Sequence, residues 1–156
     1  MLKRLKQFKA LEPGARRLFL RASAVLPFIS LSLRLRGFRA TQSDLQKLIS
    51  RPQSKHTTVM RVDKMTRASL SARMVRSAAY RAFGRPTCLE KSLALWWLLG
   101  RQGISSSVRI GTRKTGEKFE AHSWVECEGV ALNEPEGLFK HYAVFDKAFP
   151  ALSGPK

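Results

Sequence analysis

Acid is what this chain has least of for its size. Its 156 residues hold 11 Asp and Glu against 29 Lys and Arg, a formal net charge of +18. Cysteine is also scarce. Cys88 and Cys127 are the only two, which excludes a disulfide framework and fits a reducing compartment. Repeats and low-complexity tracts are missing, and so is a long apolar run. The longest uncharged stretch, Ala22 to Leu33, has twelve residues between Arg21 and Arg34, whereas a spanning helix needs roughly 20 apolar residues. The stretch is a poor signal peptide as well: the basic segment before it is long, no A-x-A site follows, and more arginines come next. An amphipathic helix lying on a membrane or on a partner fits better. The expected location is cytoplasmic, with peripheral membrane contact as a further option.

What is present is a globular composition, 44% hydrophobic, in a length suited to one domain with a small accessory segment. The charge is unevenly spread. Residues 1–88 hold 20 basic side chains and only Glu12, Asp44 and Asp63 as acids, a net of +17, whereas residues 89–156 hold 9 basic and 8 acidic. A uniformly basic, nucleic-acid-coating fold is a poor description of such a chain. No zinc motif is visible, and aromatic residues are not interleaved with the basic stretch as a stacking platform.

Leu18, Phe19, Ala22, Val25, Leu26 and Ile29 recur at helical spacing and predict a helix over 11–36, kinked or divided at Pro27. A short helix over Ser43–Ile49 follows, with Ser43 as its cap, and then a polar linker over 50–60. Asp63–Phe83 reads as a helix that Gly84-Arg85-Pro86 ends, and Cys88–Gly100 as another. After Gly103 the period changes to two. Strands are expected at Ser106–Gly111, Phe119–Glu126, Val130–Glu134 and His141–Phe145, with a turn at Thr115-Gly116-Glu117. Helices followed by an antiparallel meander make an α+β fold. Residues 1–62 form a basic helical region and linker, and residues 63–156 a second unit.

Chemistry concentrates at Pro86-Thr87-Cys88-Leu89-Glu90. Thr87 followed three residues later by Glu90 is a capping box, which makes Cys88 the first helical residue. Backbone amides and the positive end of the helix dipole then surround its sulfur, a known setting for a nucleophilic thiol. A buried structural cysteine is the competing reading. A cysteine nucleophile needs a base. His56 lies in the polar linker and His141 starts a late strand. His122 shares a strand face with Trp124 and Glu126, while Ala121, Ser123 and Val125 face the other way. Cys127 is off the His122 face and reads as structural.

Hairpin register nominates the third member. A two-residue Glu128-Gly129 turn would force a positive φ on Glu128, whereas a three-residue loop over Cys127-Glu128-Gly129 needs it only at the glycine. The longer loop pairs His122 with Glu134, and the shorter one puts Asn133 on the His122 face. Glu134 is preferred and Asn133 is the alternative.

Cys88-Leu89-x-x-Ser92-Leu93-x-Leu95, Leu98-Leu99, Gly103-Ile104, Arg109-Ile110-Gly111, Phe119-x-Ala121-His122-x-Trp124-Val125-Glu126 and Leu132-Asn133-Glu134 form an ordered series. Over about residues 63–146 it resembles the transglutaminase-like leader peptidase of lasso-peptide biosynthesis. The start at Leu11-Glu12-Pro13 with Arg16-Arg17-Leu18 resembles the stand-alone form, which lacks a fused leader-recognition domain. The resemblance implies a papain/transglutaminase-type fold and a catalytic triad of Cys88, His122 and Glu134, where the family usually has Asp at the last place. It implies a precursor peptide, a separate leader-binding protein and an ATP-dependent lasso cyclase as partners. No cofactor, metal or nucleic acid is expected. A basic nucleic-acid-binding protein and a transglutaminase-like acyltransferase or scaffold are the rival readings.

Overall fold

The computed structural model describes residues 11–49, 61–133 and 141–145. Three helices precede a small antiparallel sheet, so the fold is α+β. Helix α1 is Pro13–Ile49, α2 is Arg61–Arg81 and α3 is Cys88–Gly100. The strands are β1 (Ser107–Thr115), β2 (Lys118–Cys127), β3 (Val130–Ala131) and β4 (Ala143–Val144).

Helix α1 is one long element broken at Gly37, whose φ of 75° and ψ of −179° are not helical. The helix continues through Pro27, which stands on its exposed side. The break therefore falls at neither Pro27 nor Ser43. Glycine takes a positive φ without a Cβ penalty, so the chain can turn at 37. Thr41 then reaches back, its hydroxyl 2.8 Å from both the Ser32 hydroxyl and the Gly37 carbonyl oxygen. An Arg36–Asp44 ion pair spans the break on the outside. Ser43 lies inside the second segment and has no start to cap. Substituting Gly37 by Ala should cost about 1–2 kcal/mol through the left-handed backbone alone. That is a fall in Tm of roughly 2–8 °C for a chain of this size. Calorimetry checks it, and an unchanged Tm would show that the turn is not held at positive φ.

The core is one continuous cluster. Ala22, Val25, Leu26 and Ile29 of α1 meet Ala68, Met74, Val75 and Ala78 of α2 around α3. Helix α3 is apolar nearly all round, as a central helix must be, and Leu93, Leu95, Trp96, Leu98 and Leu99 are buried. Val108 of β1 and Val125 and Cys127 of β2 close the cluster from the sheet side. By length and composition α1 could cross a membrane, since an 18-residue window has a mean hydropathy of 1.5. Counting only the uncharged run understated this reach. One face of α1 nevertheless packs in the core, while Leu20, Phe28, Leu31 and Leu35 are exposed.

The sheet order is β3-β2-β1-β4. The first three strands form a meander, but β4 crosses back to pair with β1 rather than extending the sheet beyond β3. The β1–β2 hairpin runs in register from Ser107 opposite Glu126 to Thr115 opposite Lys118. Its turn falls at Gly116-Glu117, where Gly116 supplies the positive φ.

Candidate active site

Cys88 opens α3, and both halves of the capping box are formed. The Glu90 amide donates to the Thr87 hydroxyl at 3.3 Å, and the Thr87 amide donates to the Glu90 carboxylate. These bonds use two of the amides at the helix start and leave that of Cys88 pointing out of the first turn. Glu90 is buried. Burial pushes its carboxyl pKa up, but the Ser30 side chain, the Thr87 amide and hydroxyl, and nearby Arg34 together hold it below the ordinary value. Ser30 and Arg34 belong to α1, so the long helix braces the turn that carries the thiol.

A carboxyl held low in the folded state binds its proton more weakly there than in the unfolded chain. Its stabilising effect is therefore complete above the ordinary Glu value of about 4.3 and is lost as pH falls through the depressed folded value. Glu90→Gln should flatten the acid limb of the Tm–pH profile relative to the parent protein. Parallel acid limbs in the two proteins would refute the assignment.

Strand β2 packs along α3 and runs in the same direction. The Ser92 hydroxyl donates to the Ser123 carbonyl oxygen at 3.0 Å near the start of the helix. Beyond the other end, the Cys127 thiol donates to the Ser105 carbonyl oxygen at 3.4 Å. Cys88 lies one turn before Ser92 on the same helix face, and His122 lies one residue before Ser123. Cys88 and His122 thus stand at the same end of the helix–strand pair. The hydrogen bonds among the described residues do not join the two side chains.

Alternation along β2 gives the faces the sequence implied. Ser123 turns to α3, and His122 and Trp124 turn away from it, their ring centroids 6.4 Å apart and nearly parallel. Tyr142, just before β4, completes the cluster with its centroid 5.4 Å from His122 and 6.3 Å from Trp124. On β1 the residue opposite His122 is Gly111. A Cβ built there would stand 2.9 Å from the Tyr142 Cβ, 3.1 Å from the Ala143 carbonyl oxygen and 3.1 Å from the Trp124 ring. The close approach of Tyr142, Ala143 and the Trp124 ring to β1 needs a glycine at 111. Arg109 pairs with Glu126 at 3.3 Å farther along this face.

The hairpin after β2 overturns one expectation. Cys127 pairs with Val130 and Glu126 with Ala131, so the turn is the two-residue Glu128-Gly129. Both residues have positive φ, 50° and 80°, the type I′ pattern whose twist matches the flanking strands. Glu128 thus accepts the conformation that argued against this loop, and its carboxylate lies 3.8 Å from the Lys64 ammonium. The register that set Glu134 across from His122 is not formed. Glu134 itself lies outside the described residues, so the family resemblance remains its support.

Asn133 is placed differently from the expectation for that register. Its side-chain oxygen accepts from the Val125 amide at 2.7 Å, and its side-chain nitrogen donates to the Ser92 hydroxyl at 3.2 Å. Asn133, Ser92 and Ser123 clamp α3 to β2. Asn133→Ala leaves the Val125 amide without this partner and should cost about 1–3 kcal/mol. Denaturant unfolding of the variant measures that loss, and a change under 0.5 kcal/mol on the same scale would remove the clamp from the account.

Cys127 is buried, and burial first, then the neighbouring Glu128 charge, push its thiol pKa up while Lys64 opposes them. Cys88 is partly exposed. His141 is exposed, and His56 lies outside the described residues. Sequence reasoning missed Tyr142, Gly111 and the Ser92–Asn133 clamp. The signals were there in part: Ser92, Gly111 and Asn133 stand in the ordered motif series, whereas Tyr142 depends on a strand crossing that no local pattern encodes.

The family model described as the transglutaminase-like superfamily matches residues 25–146, from the middle of α1 past β4. Its members are typically cysteine-dependent enzymes and include peptidases and acyltransferases. No curated protein and no solved structure matches the chain.

Proposed function

The chain belongs to the transglutaminase-like superfamily, and on that premise we propose that it is a cysteine peptidase that removes the leader from a lasso-peptide precursor. The observation that carries the reading is the codirectional α3–β2 pair, with Cys88 on the first turn of one and His122 at the matching end of the other. Cys88, as thiolate, attacks the carbonyl carbon of the leader–core amide. The Cys88 backbone amide donates to the developing oxyanion. His122 gives a proton to the core nitrogen as the C–N bond breaks, leaving the leader as a thioester. Water that loses a proton to His122 then cleaves the C–S bond and restores the thiol. Glu134 orients the imidazole.

The products are a leader with a free carboxylate and a core with a free amino terminus, the nucleophile an ATP-dependent cyclase needs. A separate leader-binding protein presents the precursor. The location is cytoplasmic. The exposed apolar stripe of α1, from Leu20 through Phe28 and Leu31 to Leu35, is flanked by exposed Arg17, Arg21 and Arg34 and supports peripheral contact with an anionic membrane surface.

The test is incubation of the purified chain with precursor, leader-binding protein, cyclase and ATP, followed by mass spectrometry. Appearance of a leader fragment and a core with a new amino terminus supports the peptidase. Transfer of the leader acyl group to added amine without any hydrolysis points instead to an acyltransferase. An intact precursor overturns the proposal.

A further inference from the structure

A groove of about 840 Å³ lies along α2 and meets the first turns of α3 and the residues after β3. Among the described residues, Arg73, Arg76 and Lys91 line it as cations, Leu70 and Leu132 contribute apolar surface, and Glu12 is the one acid. Arg73 and Arg76 are three residues apart on α2, where like charges repel. Among the described residues none of the three cations forms an ion pair with an acid. Three cations without an ion pair among the described residues, beside apolar side chains, form a surface that an acidic, partly aliphatic chain would complement. Among the described residues no aromatic side chain lines the groove as a stacking platform for a single-stranded nucleic acid would. The volume falls in the range of pockets that enclose a drug-sized molecule, enough for a few residues of extended peptide.

The groove also lies beside the nucleophile. Lys91 follows Cys88 by three residues, which makes them neighbours on the surface of α3. Asn133, another lining residue, is bonded to Ser92, one turn beyond Cys88.

We propose that this groove docks an acidic, extended segment of the peptide substrate, its carboxylates paired with Arg73, Arg76 and Lys91 and its aliphatic side chains seated on Leu70 and Leu132. The substrate half of this inference rests on the peptidase reading above; the groove's preference for acidic peptide does not. Docking here would hold the scissile bond near Cys88 and restrict which peptides are cleaved.

The experiment measures fluorescence anisotropy of a fluorescein-labelled peptide of alternating Glu and Leu on the full-length Cys88→Ala chain, with a Gln-for-Glu peptide as the neutral counterpart. The acidic peptide should bind at least about tenfold more tightly than the neutral one, and Arg73→Glu/Arg76→Glu should remove most of that preference. Arg17→Glu/Arg21→Glu makes the same charge change on α1 and should shift affinity less than about twofold if the effect is local. Arg73→Gln/Arg76→Gln, a milder change, should give an intermediate loss, and circular dichroism confirms that each variant is folded. Equal losses from the α1 and α2 reversals would mean general attraction to a basic chain and would overturn the groove. So would precursor cleavage by Arg73→Glu/Arg76→Glu with unchanged KM, an outcome that leaves the peptidase intact. Acidic-peptide binding with the stated pattern but no precursor cleavage by the parent protein keeps the docking site and removes the peptidase.

Discussion

Cys88→Ala should lower leader cleavage by at least about 10⁴-fold, the order of loss when a covalent nucleophile is deleted, while the protein stays folded. The side chain is partly exposed and begins α3 rather than filling its core, so its removal leaves no large cavity. The capping box that starts the helix is built by Thr87 and Glu90 and survives the change. His122→Ala should cost nearly as much, and the double variant little more than either alone, because nucleophile and base act as a unit. Iodoacetamide supplies an independent readout. Cys88 should alkylate first, because Cys127 is buried, donates to the Ser105 carbonyl oxygen and has its thiol pushed up. Peptide mapping after brief labelling reads both sites. Cleavage that persists in Cys88→Ala, or alkylation that favours Cys127, would contradict the assignment of the nucleophile.

The elements around the thiol were legible because their signals are local. A capping box, an apolar helix and a glycine at its end specify α3 within its own residues, and period-two alternation specifies both faces of β2. The errors arose where the backbone had a choice that tertiary structure decides. Pro27 reads as a breaker, yet the burial of Val25, Leu26 and Ile29 on both sides of it carries the helix through, and the turn moves to Gly37. Glu128 is an unfavourable residue for positive φ, at a cost of about 1–2 kcal/mol. The two-residue turn nevertheless matches the strand twist, and it lets Asn133 reach Ser92. Strict alternation in that register would set Asn133 on the His122 face, but β3 ends at Ala131 and Asn133 turns to Ser92 on the Cys88 helix instead, a departure that no pattern within the hairpin encodes. The charge division has a similar limit. It singled out the first half of the chain as unusual, but Arg34 and Ser30 from that half act on Glu90 beside Cys88, so the basic region takes part in building the site.

Gly111→Ala should reduce turnover about 10²-fold with a smaller effect on stability than on activity. The added Cβ would meet the Tyr142 Cβ, the Ala143 carbonyl oxygen and the Trp124 ring, all within 3.1 Å. Two of these atoms belong to backbone or to a Cβ, so β4 must move away from β1. Overpacking of this kind costs about 1–3 kcal/mol, and among the described residues β4 pairs with β1 at Gly111–Val144 and Thr112–Ala143, with one further bond from the Phe145 amide to the Ile110 carbonyl oxygen, a short edge that can give way without unfolding the core. Tyr142 would leave with it. That ring is held between Arg113, whose guanidinium carbon lies 4.9 Å from its centroid, and His122. Losing it removes a ring that packs against the imidazole beside Trp124, and a displacement of about 1 Å in a catalytic group is enough for a hundredfold loss. Tyr142→Ala should reproduce the loss of turnover with β1 untouched, whereas Tyr142→Phe, which keeps the ring, should retain most activity. The diagnostic is kcat measured across pH. A displaced His122 changes the shape of the profile as well as its height, while a purely structural defect scales the whole profile down. If Gly111→Ala and Tyr142→Ala both lower Tm but leave kcat and its pH profile as in the parent protein, the aromatic cluster packs the edge of the sheet and does not position the base.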